Sequence, residues 1–281
     1  MKSKKITEIV GVAFMLLATF IVLMLIAILI FDIFSKGAKV ISFDFIFSNP
    51  THGMTKGGIW PAIVGSLYLS LLTAILSIPI GIGAAIYLNE YAENNLFTQI
   101  IRASIRNLAG VPSVVFGLFG VTLFANAMQM GTSLLASACT LGLLTLPYII
   151  ASTEEALRNV PNSYREAALA LGASKWEAIY DHVLPSAKNG IITGVILGLS
   201  RAIGETAPIL FTGVSFYQRF LPQSALDEFM ALPYHIFILS TQHFAIDLVK
   251  PLAYGSTLIL LLIILVLNVF ALILKQKRKS N

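Results

Sequence analysis

Charge is scarce in this chain of 281 residues. Only 12% of them carry one, against about a quarter in an ordinary soluble domain. The shortage excludes a protein whose surface mostly faces water. Cysteine is nearly absent. With Cys139 alone, no intrachain disulfide and no cysteine metal cluster can form, and in its apolar run it reads as a small buried side chain. There is no Walker A signature to cradle nucleotide phosphates. No nucleophile–base pair or metal-ligand cluster stands out, so the chain is expected not to be an enzyme. Basic residues gather at the two ends, in MKSKK and KQKRKSN. A nucleic-acid binder would spread them along a face. Here they abut apolar segments, so membrane lipid is the expected neighbour and nucleic acid is not.

Long uncharged runs are what the chain has instead: Ile9–Phe31, Ile59–Asn89, Asn107–Thr153, Asn189–Ser200 (continuing to Gly213 across two charges) and Pro251–Leu274. A membrane-spanning helix needs roughly 20 apolar residues. The run from Asn107 is about twice that, so it must fold back, and Gln129–Ser133 with Gly131 is the natural turn. Spans are therefore expected at about 9–32, 60–88, 108–129, 132–152, 190–213 and 252–274. Lys2, Lys4 and Lys5 before the first run resemble a signal peptide. The run is longer than a signal core and no Ala-x-Ala pattern follows, so it reads as a retained span.

Six spans put both termini on one side. The lysines at the start, with Lys275, Lys277, Arg278 and Lys279 at the end, make that side cytoplasmic by the positive-inside rule. The loop with Arg102 and Arg106 and the loop of about 154–188 then lie inside. Phe229–Ile246 is apolar enough for a seventh span, which would send the basic tail outside. It is expected to be an amphipathic or re-entrant piece of an outer loop. Its His235 and His243 read as interfacial polar side chains. Pro79, Pro112 and Pro147 should kink helices against neighbours, and Gly81 and Gly83 should allow close helix contact.

Arg165–Pro185 is a polar, helix-forming segment between apolar ones. Ser163 and Glu166 have capping-box spacing. Gly172 disfavours helix by about 1 kcal/mol against Ala, so it marks a bend, a cap or a close backbone approach. Pro185 stops the helix or begins the next span. On composition alone this is either an amphipathic connector along the membrane or a docking element.

Arg201 and Glu205 fall near the middle of the fifth expected span, four apart on one helix face. Charged groups there cost about 2.5–3.5 kcal/mol on insertion scales and must face protein or water. Two readings stand. The pair locks helices together, or Arg201 offers its donor fork to an oxyanion in a pathway while Glu205 holds it when the path is empty. Pro208 should kink or weaken the helix beyond them.

Glu166, Ala167, Ala168, Gly172, Leu184 and Pro185 together resemble the EAA loop of ATP-binding-cassette (ABC) importer permeases. GGIWPAIVGSLYL (57–69), IPIGIGAAIYLNEYA (78–92), GVPSVVFGLFG (110–120) and LGLSRAIGETAPIL (197–210) resemble the permeases of phosphate-specific importers. YLNEYA and SRAIGETAP resemble the A-type rather than the C-type permease. The resemblance runs from about Gly57 onward, so residues 1–56, a first span and outer loop, read as an addition to a core domain at 57–281.

The resemblance implies an all-α integral membrane protein of the type I ABC importer permease fold, in a bacterial or archaeal cytoplasmic membrane. It implies half of a phosphate pathway touching Arg201 and Glu205, and a coupling helix in the EAA loop. It implies a second permease, two copies of an ATPase subunit and an extracytoplasmic phosphate-binding protein as partners. No cofactor is expected in this chain; ATP and magnesium would sit on the ATPase. The alternatives are a permease for another oxyanion, sulfate or molybdate, and a secondary transporter, which would not need the coupling helix.

Overall fold

A computed structural model describes residues 2–218 and 220–276. The tail cations Lys277, Arg278 and Lys279 lie outside the described residues. The first apolar run forms one helix, α1 (Lys2–Gly37). It ends where Gly37 meets the last helix so closely that a Cβ would lie 2.7 Å from the carbonyl oxygen of Tyr254. A short helix α2 (Phe43–Phe47), capped by Ser42, and a two-stranded hairpin, β1 (Pro50–Thr51) and β2 (Lys56–Gly57), lead to the bundle.

Helix α3 (Trp60–Ile86) continues through a π turn at Tyr87–Tyr91. Its buried residues include Gly65, Ser66, Leu69, Thr73, Ser77, Gly81 and Ala85, a helical stripe of mostly small side chains. Such a stripe lets another helix approach closely. That helix is α6 (Leu134–Arg158), the central element of the bundle, packed by α3 and by α9 (Leu184–Ile203). Ser133 starts α6 by accepting from the Ala136 amide at 3.1 Å, after the expected turn through Gln129 and Gly131, both at positive φ. Gly81 packs on Ile149, as its type suggests, but Gly83 meets nothing within 4 Å and makes no helix contact.

Among the described residues five helices are long and apolar enough to cross a membrane, or six if one bent pair counts as a single span. The bent pair departs from the expected span at 108–129. Helix α4 (Leu96–Leu108) and helix α5 (Ser113–Gly120, with a π turn to Ala127) meet at 103°. Pro112 is the cause: it pushes Val111 out of helical conformation and takes the N-cap position of α5 with ψ 138°. Pro79 and Pro147 instead lie inside α3 and α6.

The fifth expected span also differs, at both ends. Helix begins well before residue 190, because α8 (Lys175–Glu177), a π turn (Ala178–Val183) and α9 form one continuous helix, Lys175–Ile203. It ends at Ile203, and a separate helix α10 (Ala207–Thr212) follows. Pro208 cannot donate to the carbonyl four residues back, and its ring crowds that position, so the turn around Gly204 opens.

Phe229–Ile246 is not a span. Helix α11 (Leu232–Phe237) and a π turn (Ile238–Gln242) cover roughly 16 Å. Phe229, Met230, Leu232 and Leu239 are fully buried. The Leu232 amide donates to Ser66 Oγ at 2.8 Å, so the segment turns back into the bundle against α3. The histidines are not interfacial; both are buried. His243 Nε2 donates to the Gly53 carbonyl at 2.7 Å and its Nδ1 accepts from the Ala245 amide at 3.1 Å, which ties the hairpin to this loop. These bonds occupy both ring nitrogens of a neutral imidazole. The last helix, α12, runs Ile246–Gln276.

Burial, with His243 nearby, lowers the His235 imidazole to about 4. The folded chain therefore holds it neutral, and protonation favours the unfolded chain. No penalty applies well above the unfolded value near 6.5, and it grows as pH falls toward 4. Moving from pH 7 to pH 5 is expected to remove about 2 kcal/mol of stability. Unfolding midpoints in detergent at the two pH values check this, with His235→Gln as the variant that loses the dependence.

Candidate functional site

Two charged places stand out, one at each end of α9. The lower begins with α7 (Asn162–Ala170). Pro161, at ψ 141°, takes its N-cap position, so Ser163 is already inside the first turn and cannot cap. The capping box is formed instead by Ser174 and Glu177: the Ser174 amide donates to Glu177 Oε2 at 2.7 Å, and the Glu177 amide to Ser174 Oγ at 3.3 Å. Gly172 is a cap, not a close approach. Its φ is +87° and nothing lies within 4 Å of its Cβ position. The Ala173 amide reaches the Ala168 carbonyl and the Gly172 amide the Leu169 carbonyl, the paired bonds that end a helix on a left-handed glycine.

Of the EAA residues, Glu166, Ala167 and Gly172 are exposed, while Ala168 is buried where α7 lies on the π turn of residues 178–183. Leu184 and Pro185 open α9 without a break. The π turn just before Pro185 widens the helix where the proline ring would otherwise crowd the preceding turn. The tip of this hairpin is apolar and open: Leu171 is 89% exposed, and Tyr164, Trp176 and Tyr180 are about half exposed or more. A hollow of about 320 Å³ lies between Tyr164, Ala167, Leu171 and His182.

A clasp joins the hairpin to the bundle. Arg165 Nε and Nη2 donate to the two carboxylate oxygens of Glu90 at 3.0 and 2.6 Å. Its Nη1 and Nη2 also donate to the carbonyls of Val160 and Leu157 at 2.9 and 3.0 Å. The Glu90 side chain is only 5% exposed. One guanidinium thus binds the end of α3, the end of α6 and the start of α7. Beside it, Arg102 Nε donates to Glu154 Oε1 at 3.1 Å and its Nη2 to the Leu88 carbonyl, which seats α4 on the same corner. Sequence reasoning missed this clasp. Its signal was Glu90 at the close of an uncharged run and an arginine immediately before Glu-Ala-Ala.

The upper place is the last turn of α9. Arg201 Nε lies 3.6 Å from Glu205 Oε1, so these two residues do meet. The guanidinium also sits 4.8 Å from the Tyr148 ring centroid, a cation–π arrangement. Tyr148 Oη donates to the Ala109 carbonyl at 3.0 Å, at the elbow between α4 and α5. Glu205 is mostly covered, whereas half of the Arg201 side chain is exposed. The helix break at Gly204 places Glu205 outside regular helix. Ion pair, aromatic ring and helix break thus meet at one point, and among the described residues the guanidinium has no hydrogen-bond acceptor. Among the described residues no group of three His, Cys, Asp or Glu is arranged to hold a metal.

Residues 77–280 match the family described as binding-protein-dependent transport system inner membrane component. The chain belongs to that family. The permease is 33% identical over 280 residues to the probable ABC transporter permease protein YqgI of Bacillus subtilis, covering 96% of this chain and 95% of that one. It is 34% identical over 251 residues to the phosphate transport system permease protein PstA of Haemophilus influenzae, covering 89% and 87%. Against PstA of Mycobacterium leprae it is 38% identical over 215 residues, 76% and 69% of the chains. Among solved structures, a bacterial ABC transporter involved in import of the acidic polysaccharide alginate superposes with a TM-score of 0.70 over 98% of both chains at 16% identity. The inward-facing MetNI methionine ABC transporter gives 0.61 over 78% of this chain and 96% of that one at 14% identity. At such identities these likenesses concern fold alone, and the permease has the type I ABC importer fold.

Proposed function

We propose that the permease forms one half of the pathway of an ATP-driven importer of inorganic phosphate. The observation that carries this reading is its likeness, at a third identity over most of both chains, to phosphate transport system permeases. The partners are a second permease of the C type, two copies of an ATPase subunit that carry ATP and magnesium, and an extracytoplasmic phosphate-binding protein. Both termini face the cytoplasm of a bacterial or archaeal cell, as the terminal lysines favour. Residues 1–56 add a peripheral helix and outer loop to the transporting core at 57–281.

The hairpin of α7 and α8, with Glu166, Ala167, Ala168, Gly172, Leu184 and Pro185, is the coupling element. Its open apolar tip suits a groove on the ATPase. Closure of the two ATPases on ATP moves the tip, and two connections carry the motion onward. The continuous helix from Lys175 leads directly to Arg201, and the Arg165 clasp takes the ends of α3 and α6 along. Phosphate released by the binding protein meets Arg201, whose free donors match its oxygens. Glu205 re-engages the guanidinium after each passage, so capture stays reversible.

Vesicles holding the permease with its partners test the substrate. ATP-dependent uptake of radiolabelled phosphate, unaffected by excess sulfate or molybdate, is the expected result. Transport of sulfate or molybdate instead would refute phosphate and keep the importer class. A Gly172→Glu change projects a carboxylate from the tip into open space and is expected to weaken ATPase co-purification at least tenfold. Gly172→Ala isolates the backbone strain of a non-glycine residue at positive φ, about 1–2 kcal/mol, and should retain most of the docking.

A further inference from the structure

A second charged cleft lies at the other end of the molecule from the coupling hairpin, and phosphate transport makes no use of it. Residues 8–31 of α1 are exposed on every face. The helix packs chiefly on α12, and the contact is made at its last turn, where Gly37 meets the backbone of Tyr254 and the side chain of Leu258. From Glu8 to Phe31 no α1 side chain is covered, so an apolar gap flanks α12 beneath the contact.

Two adjoining cavities open at the head of this gap and share Lys250 and Tyr254. One, of about 370 Å³, is lined by Lys36, Lys39, Asp247, Lys250 and Tyr254. The other, of about 360 Å³, runs along Ile33, Ser240, Ile246, Ala253 and Thr257. Lys36 is fixed, with its ammonium 2.6 Å from Asp32, 3.4 Å from Tyr254 Oη and 4.9 Å from that ring's centroid. Three cations, Lys36, Lys39 and Lys250, therefore face two carboxylates, Asp32 and Asp247, and one positive charge is left over. Under the proposed orientation these lysines lie outside, where the positive-inside rule disfavours them. A local anion would account for them.

We propose that this cleft binds an anionic phospholipid, with its phosphate on Lys39 and Lys250 and an acyl chain in the gap between α1 and α12. Lys39 and Lys250 supply donors for a phosphate diester, and the exposed apolar flank of α1 below the cavities supplies a path for a chain. Free phosphate would use only the first. The location, at the head of a bare apolar helix, is headgroup depth.

The test is lipid retention by the purified full chain, followed by native mass spectrometry and by unfolding midpoint in nanodiscs of phosphatidylglycerol or phosphatidylcholine. Phosphatidylglycerol is expected to remain bound and to raise the midpoint, while phosphatidylcholine does neither. The double change Lys39→Gln and Lys250→Gln leaves the Lys36–Asp32 pair intact and is expected to lower phosphatidylglycerol retention at least tenfold. Lys39→Arg with Lys250→Arg should keep it. Retention unchanged in the Gln variant would overturn the proposal. So would displacement of the lipid by millimolar inorganic phosphate, which would make this a free-phosphate site, or protection of Lys39 from amine labelling by the second permease alone in lipid-free complex.

Discussion

Arg165→Ala is expected to abolish ATP-coupled uptake and to lower the unfolding free energy by about 3–5 kcal/mol, the usual cost of breaking a buried ion pair. One guanidinium carries this effect. It satisfies a carboxylate that is 5% exposed and donates to the carbonyls of Leu157 and Val160. Without it, Glu90 keeps only the Asn89 amide among the hydrogen bonds to its carboxylate, and the two carbonyls lose those donors. Removing both charges, Arg165→Ala with Glu90→Ala, should be less damaging than Arg165→Ala alone, because no buried carboxylate is left uncompensated. Exchanging them, Arg165→Glu with Glu90→Arg, should not rescue, because a carboxylate would then face the carbonyls of Leu157 and Val160. Unfolding midpoints and binding-protein-stimulated ATP hydrolysis give the readouts. Normal coupled uptake by Arg165→Ala would remove the clasp from the mechanism.

The second large effect is expected at Arg201. Arg201→Gln should reduce phosphate uptake at least tenfold, in keeping with about 1.5–3 kcal/mol for a charged hydrogen bond, with subunit assembly intact. Arg201→Lys should fall between, since an ammonium offers no planar fork. Glu205→Gln should act in the opposite sense on binding: the guanidinium loses its competitor, so apparent affinity rises and turnover falls. The Tyr148 ring separates positioning from charge. Tyr148→Phe keeps the stacking face and loses only the bond to Ala109, so it should transport better than Tyr148→Leu. Initial uptake rates across phosphate concentrations distinguish these cases. Undiminished uptake by Arg201→Gln would make the pair a helix lock and nothing more.

Much of this architecture was legible in the chain. The uncharged runs marked the membrane helices, because apolar length is a local property. The turn at Gly131 and the hairpin after Glu166 were legible for the same reason. What could not be read depended on backbone direction or on distant partners. Pro112 and Pro208 look like other prolines in the sequence. Only the surrounding packing makes the first an elbow, makes the second follow a helix break, and leaves Pro147 inside an intact helix. Arg201 and Glu205 could be paired because they are four apart. Arg165 and Glu90 lie far apart in sequence and come together only when α3 and α7 meet at the end of α6. His235 looked interfacial because a histidine in an apolar loop usually reaches for water, and the burial of α11 overrides that.

The unbroken helix from the coupling hairpin to Arg201 has a mechanical consequence. Pro185 and Arg201 are separated along it by roughly 24 Å. A tilt of about 10° at the lower end would then swing the upper end by roughly 4 Å. That arc is comparable to the 4.8 Å between the Arg201 guanidinium and the Tyr148 ring on α6. A small angular stroke below is therefore enough leverage to slide the guanidinium off that ring, with no side chain in between needing to change its rotamer.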